Sequence, residues 1–228
     1  DPLWGDFVVT LLDHSLAVQT TPNNRFGSDR IAGGAGDDMV FGQLGNDIIE
    51  GDGSVTLTVG YVTGALAADR VLSPSVEDFD GIGTDGDDYI EGGGGSDLVF
   101  GGLGRDDIIG GSSNLFGLTG RLDRPDGSDR IYGGAGTRIG RNDTGQDGLA
   151  RHARDADTIV GDNGVITRIV AEAADTVRSP FRTFTYDTTD PAARGSLWLV
   201  PRVVGQLDYS PRGENTLSAD AADTRTSS

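Results

Sequence analysis

Residues 92–109 divide into GGGGSDLVF and GGLGRDDII, two nonapeptides with glycine at positions 1, 2 and 4, aspartate at 6 and an aliphatic residue at 8. The same frame fits residues 24–32, 33–41, 42–50, 83–91 and 124–132. It places Asp29, Asp38, Asp47, Asp88, Asp97, Asp106 and Asp129 at position 6, and Ile31, Val40, Ile49, Ile90, Val99, Ile108 and Ile131 at position 8. A fixed period of this kind marks a stack of units, each too small to bury its apolar residue alone. The glycines let the chain turn sharply and adopt positive φ. The last three residues of each unit, with the aliphatic in the middle, are expected to be short strands.

Charge then narrows what such a stack can bind. Thirty-six acidic residues against 18 basic ones give a formal net charge of −18, which disfavours nucleic acid and anionic membrane and makes cations the natural partners. There are two histidines and no cysteine, so a zinc site lacks its usual ligands. Aspartates recurring at one position of each unit suit a hard, oxygen-preferring cation instead. His14 and His152 read as isolated, solvent-exposed loop residues. Neither HExxH nor GxSxG is present, so the zinc-protease and serine-hydrolase signatures are missing. No apolar run reaches the length of about 18 residues that a membrane span needs. The chain opens on Asp1-Pro2 rather than on a signal-peptide pattern, and reads as a unit of something longer.

Between the repeats the pattern changes. Residues 54–72 alternate as a β-hairpin, and so do residues 7–20, with Asp13-His14 where the turn belongs. Residues 181–187 and 196–209 are β-rich, and Pro201 makes the second an edge strand or a broken one. Gly-Asp at 51–52 and 161–162 precedes a strand pattern in each case and reads as an exit signal from the repeats. Met39, Phe41, Ile48, Leu98, Phe100, Ile109 and Tyr132 at positions 7 and 9 face outward, and the hairpins and the 181–209 strands are expected to cover them.

The tandem register resembles the RTX, or hemolysin-type, calcium-binding nonapeptide repeat GGxGxDxUx, with complete matches at 33–41, 92–100 and 101–109. The resemblance implies an all-β parallel β-roll, in which two nonapeptides make one coil and calcium sits between stacked turns. It implies as metal-site residues the carboxylates of Asp29, Asp38, Asp47, Asp88, Asp97, Asp106, Asp129 and Asp157, with carbonyls of Gly27, Gly34, Gly36, Gly45, Gly86, Gly93, Gly95, Gly102, Gly104 and Gly127. Each run breaks inside a turn: Gly51-Asp52 opens one that Gly86-Asp87-Asp88 completes, Gly110-Gly111 is completed by Gly127-Ser128-Asp129, and Gly133-Gly134 by Ala156-Asp157. One continuous roll is therefore expected over 24–170, with insertions at about 52–84, 112–125 and 137–155. Asp29, Asp47, Asp97 and Asp129 fall on one side and Asp38, Asp88, Asp106 and Asp157 on the other. Neighbours on each side would enclose six calcium sites. A hairpin over 1–23 would precede the roll, and a β-rich segment over 171–228 would pack on it, with a disordered tail from about 215.

In function, the resemblance implies a non-enzymatic calcium-binding module of a larger secreted or surface-displayed bacterial protein (adhesin, surface layer or filament), folded by calcium after type I export. The alternative is the folding and secretion domain of an RTX protease or lipase whose catalytic domain lies outside this chain. Neighbouring copies or other domains of the same parent protein are candidate partners.

Overall fold

The computed structural model describes residues 8–15, 17, 26–62, 65–73, 86–102, 104–134, 157–170, 184–185, 198–199 and 201–208. In chain order the strands begin with β1 (Arg30–Gly34), β2 (Met39–Phe41) and β3 (Ile48–Asp52), followed by a hairpin of β4 (Ser54–Val62) and β5 (Ala65–Ser73). The repeats resume with β6 (Tyr89–Glu91), β7 (Leu98–Phe100), β8 (Asp107–Ile109), β9 (Arg130–Tyr132) and β10 (Thr158–Val160). Then come β11 (Gly164–Arg168), β12 (Phe184–Thr185), β13 (Trp198–Leu199) and β14 (Arg202–Gln206).

Two four-stranded parallel sheets form the roll, in the orders β1-β3-β7-β9 and β2-β6-β8-β10. Consecutive nonapeptides therefore alternate between sheets. Pairing joins position 8 to position 8: Ile31 with Ile49, Ile49 with Val99 and Val99 with Ile131 in one sheet, and Val40 with Ile90, Ile90 with Ile108 and Ile108 with Ile159 in the other. Strands alternate their side chains between faces, so the position-8 residues of both sheets meet between them. Ile49, Ile90, Val99 and Ile108 are fully buried there with Val40, and Ile31 and Ile131 pack against them at the ends. Each such side chain contributes about 1.5–3 kcal/mol by burial. Ile159, in the outermost strand of its sheet, is 45% exposed, with no further strand paired beyond it among the described residues.

The turns carry the insertions. Gly42 abuts the Asp47 carboxylate and Gly92 that of Asp97, the first and sixth residues of one turn. Gly51 abuts Asp88, Gly110 abuts Asp129 and Gly133 abuts Asp157 in the same manner. Each intervening segment thus leaves and re-enters within one turn. The first contains the expected hairpin, β4 paired antiparallel with β5 from Ser54–Ser73 to Val62–Ala65.

The outward face is covered in part. Ile109 and Val160 are buried under Ile166 of β11, with Tyr89 packed against them, and Phe116 of the second insertion packs edge-on against Phe41 and Tyr89. In the other sheet Phe100 stacks on Tyr132, which remains 47% exposed. Pro201 does break its β-rich stretch: β13 pairs with β12, whereas β14 pairs with β11. The proline lies between two strands of different sheets, where no ladder needs its missing N–H.

Two expectations change at the N-terminus. The first arm of the hairpin placed at 7–20 forms no strand among the described residues 8–15; Leu11 N–H instead donates to the Phe116 carbonyl. His14 is not solvent-exposed but 3% accessible, with Nδ1 3.0 Å from the Asp123 carbonyl in the 3-10 turn Arg121–Asp123. Burial lowers its pKa, against the opposing pull of the Asp123 and Gln43 carbonyls. A lone histidine carries no sequence signal of whether a long-range partner will cover it. His152, the insertion expected at 137–155 and the tail from about 215 lie outside the described residues.

Candidate metal centre

Strand pairing stacks the position-6 aspartates on two sides of the roll. On one side the Asp29 N–H donates to Asp47 Oδ1 (2.7 Å), the Asp47 N–H to Asp97 Oδ1 (2.7 Å) and the Asp97 N–H to Asp129 Oδ1 (2.8 Å). On the other, Asp38 N–H donates to Asp88 Oδ1 (2.9 Å), Asp88 N–H to Asp106 Oδ1 (2.8 Å) and Asp106 N–H to Asp157 Oδ1 (3.1 Å). One carboxylate oxygen per rung is spent on the backbone of the turn before it.

The other oxygen is not. Oδ2 of Asp38, Asp47, Asp88, Asp97, Asp106 and Asp129 is buried without a hydrogen-bond partner. Buried polar atoms are normally satisfied, so a row of orphaned carboxylate oxygens in one register calls for a cation or for protons. Asp88 and Asp106 are fully buried, Asp47 and Asp97 nearly so, and Asp29 at the outer turn is exposed. Burial is the main cause that raises their pKa values, to about 6 for Asp47, about 7 for Asp88 and Asp97, and about 10 for Asp106. Like charges on neighbouring rungs add to the shift, Asp157 on Asp106 and Asp129 on Asp97 among them. Asp38 and Asp129 move the same way.

Backbone oxygens complete the surroundings. The Gly27 carbonyl lies against Gly45, the Gly45 carbonyl against Gly95 and the Gly95 carbonyl against Gly127; opposite them, the Gly36 carbonyl lies against Gly86 and the Gly86 carbonyl against Gly104. A Cβ at Gly95 would collide with the Gly45 carbonyl, and φ there is +129°, so both contact and conformation demand glycine. At position 2, positive φ occurs at Gly34, Gly93, Gly102 and, without a glycine, at Gln43 (+72°). These are the turns without insertions. Among the described residues no three acidic or histidine side chains gather as a metal cluster; the donor set is paired carboxylates with carbonyls, which suits calcium rather than zinc.

Several buried polar residues had no place in the nonapeptide reading. Asp52, at position 2 of the turn completed by Asp88, is 1% exposed; its Oδ1 accepts the Gly86 N–H at 3.1 Å, which ties the two ends of the first insertion together. Asp126 has its pKa raised to about 8 by burial and then by Asp129, Asp162 and Asp97. Asn163 Oδ1 accepts the Ser112 N–H at 2.7 Å where the chain leaves the roll. Glu50, at position 9, is 6% exposed with its pKa raised by burial to about 7. The Gly-Asp exit pattern pointed toward Asp52, whereas Asp126 and Asn163 carry no sequence signal of their own. On the turn surface, Ser28, Asn46, Ser96 and Ser128 form a ladder of their own: Asn46 N–H donates to Ser28 Oγ, Ser96 N–H to Asn46 Oδ1 and Ser128 N–H to Ser96 Oγ.

A parallel roll with glycine turns and unsatisfied, stacked aspartates has the features of a cation-binding repeat. The family model of the RTX calcium-binding nonapeptide repeat matches this chain in four copies, over residues 25–54, 82–114 and 126–137. These segments are RTX repeats, and Ca²⁺ is the ion that such repeats bind. No curated protein and no solved structure matches the chain.

Proposed function

We propose that the chain is a non-enzymatic, calcium-folded structural module of a larger secreted or surface-displayed bacterial protein, with six calcium positions between the aspartate pairs 29/47, 47/97, 97/129, 38/88, 88/106 and 106/157. The reading rests on the orphaned Oδ2 atoms: each is itself buried, in a stacked glycine turn, and those of Asp47, Asp88, Asp97, Asp106 and Asp129 belong to carboxylates whose Oδ1 already accepts a backbone N–H. Calcium would supply the positive charge that these oxygens lack. The aspartates and the position-4 carbonyls of Gly27, Gly36, Gly45, Gly86, Gly95, Gly104 and Gly127 would hold it, with Gly34, Gly93 and Gly102 shaping the turns behind them.

The same chemistry makes the ion a condition of folding. Without it the roll stacks carboxylates at strand spacing, about 4.8 Å apart, in a chain of net charge −18. RTX repeats occur in secreted bacterial proteins, where calcium outside the cell exceeds calcium within, and such a module folds on arrival. Circular dichroism tests this. A chelated sample is expected to be largely unfolded and to gain β signal with Ca²⁺ but not with Mg²⁺, and calorimetry should count close to six ions. An unchanged spectrum under chelation, with no calcium heat, would overturn the proposal.

A further inference from the structure

Two ion pairs far apart in sequence fasten one short segment, Arg202–Asp208, to the turns that carry Asp106 and Asp129. Arg202 stands opposite Arg168 in the β11–β14 pair, and the two guanidinium groups close on one carboxylate: Arg168 Nε donates to Asp107 Oδ2 at 2.6 Å and Arg202 Nε to Asp107 Oδ1 at 2.8 Å. Both also donate through Nη2 to the Arg105 carbonyl, at 2.6 and 2.8 Å. Arg105 and Asp107 flank Asp106 in sequence, so four hydrogen bonds grip the turn on either side of a position-6 carboxylate. At the other end of the segment Arg124 and Asp208 form a two-pronged pair, with Nε to Oδ2 and Nη2 to Oδ1 both at 3.0 Å. The Leu207 N–H donates to the Asn163 carbonyl, and Asn163 Nδ2 in turn donates to the Arg124 carbonyl. Arg124 leads directly into the turn that carries Asp129. One clip therefore sits beside each row of aspartates.

All these groups are removed from water: the side chains of Arg202 and Asp107 are each 5% exposed, and those of Arg124 and Asp208 are 6% and 13% exposed. Charged groups held this way tolerate little displacement, since a buried charge that loses its partner is strongly destabilising. The turns that carry Asp106 and Asp129 must hold their shape for the clips to close, and closed clips fix those turns.

We propose that Arg202–Asp208 is a strap whose docking is coupled to calcium at the C-terminal turns of the roll: calcium there favours the docked strap, and the docked strap raises calcium affinity there. This rests on the calcium reading of the aspartate rows. Coupling between two such equilibria is reciprocal, and typical couplings are about 5- to 150-fold.

The test uses the full chain in two measurements. Calcium titration of Arg202→Met and of the charge-retaining Arg202→Lys is expected to show a subset of sites weakened at least about fivefold, with the rest unchanged and with Lys milder than Met. Arg30→Met, an exposed substitution in β1, serves as the control. Amide exchange at Val203–Leu207 in Asp106→Asn, at calcium saturating the remaining sites, should be faster than in the wild type. Wild-type affinity in both Arg202 variants together with wild-type exchange in Asp106→Asn would overturn the strap. Should Arg202→Met fail to fold even in calcium, the Lys variant and the exchange measurement still decide. A wild-type chain that binds no calcium would instead remove the underlying reading, whereas Asp106→Asn losing calcium while both Arg202 variants keep it would remove the strap alone.

Discussion

A single residue's importance in this protein follows from its rung. Asp97 is 3% exposed, accepts the Asp47 N–H at Oδ1 and donates its own N–H to Asp129 Oδ1, so it borders a proposed site on each side. Asp29 is exposed and borders one. Asp97→Ala is therefore expected to lower calcium stoichiometry by about two and Asp29→Ala by about one, read by calorimetry; equal losses would contradict the stacking of sites. Glycine follows the same logic. Gly95, in left-handed backbone against the Gly45 carbonyl, should cost about 1–3 kcal/mol or more on substitution by Ala, whereas Gly161 has open space for a Cβ and should cost no more than about 0.5 kcal/mol. Denaturant melts of the two variants in saturating calcium measure the difference.

At the scale of the turns and strands, the buried carboxylates make the calcium-free fold sensitive to pH. Asp47, Asp88, Asp97 and Asp106 have folded pKa values of about 6, 7, 7 and 10, all above the usual carboxylate value, with burial as the leading cause. A raised carboxylate pKa means that the folded chain binds more protons than the unfolded chain, so stability is highest below the unfolded pKa near 4 and falls as pH rises through 6, 7 and beyond. In chelator, β signal should thus be greatest near pH 4 and be lost between about pH 5 and 8, with protons in the place of calcium; a flat dichroism profile over that range would refute it. The short strands were legible in the nine-residue period with its one aliphatic per unit, and their alternation between stacked sheets in the resemblance to RTX repeats; together these bring Ile49, Ile90, Val99 and Ile108 into one core. The clips were not. Arg168 and Arg202 lie outside the period, Arg124 stands where the repeat has its first glycine, and their partners Asp107 and Asp208 are 61, 95 and 84 residues away, so nothing local distinguishes them from surface charges. His14 was misread for the same reason. The first arm of the 7–20 hairpin was misread because alternation shows which faces differ, not whether a neighbouring strand exists to pair with.

For the whole molecule, the insertions and the roll are separable in principle, since an insertion begins and ends within one turn. Asp52 Oδ1 and the Gly86 N–H are 3.1 Å apart, so excising residues 54–84 and joining the flanks is expected to leave the calcium stoichiometry near that of the intact chain. A loss of more than about one ion, measured by calorimetry, would show that the hairpin helps to build the roll. The same architecture bears on how the protein would respond to tension. Coils lie one above another, so a force that separates the ends of the chain peels them off in succession instead of shearing them all at once. Rungs in one row join residues 18, 50 and 32 apart, and in the other 50, 18 and 51. At about 3.4 Å per extended residue, a rung that spans 18 residues shortens the extensible chain by about 60 Å and one that spans 50 by about 170 Å. Pulled from its ends, the protein should lengthen in unequal steps, with the longest reserves of hidden length stored where an insertion interrupts a turn.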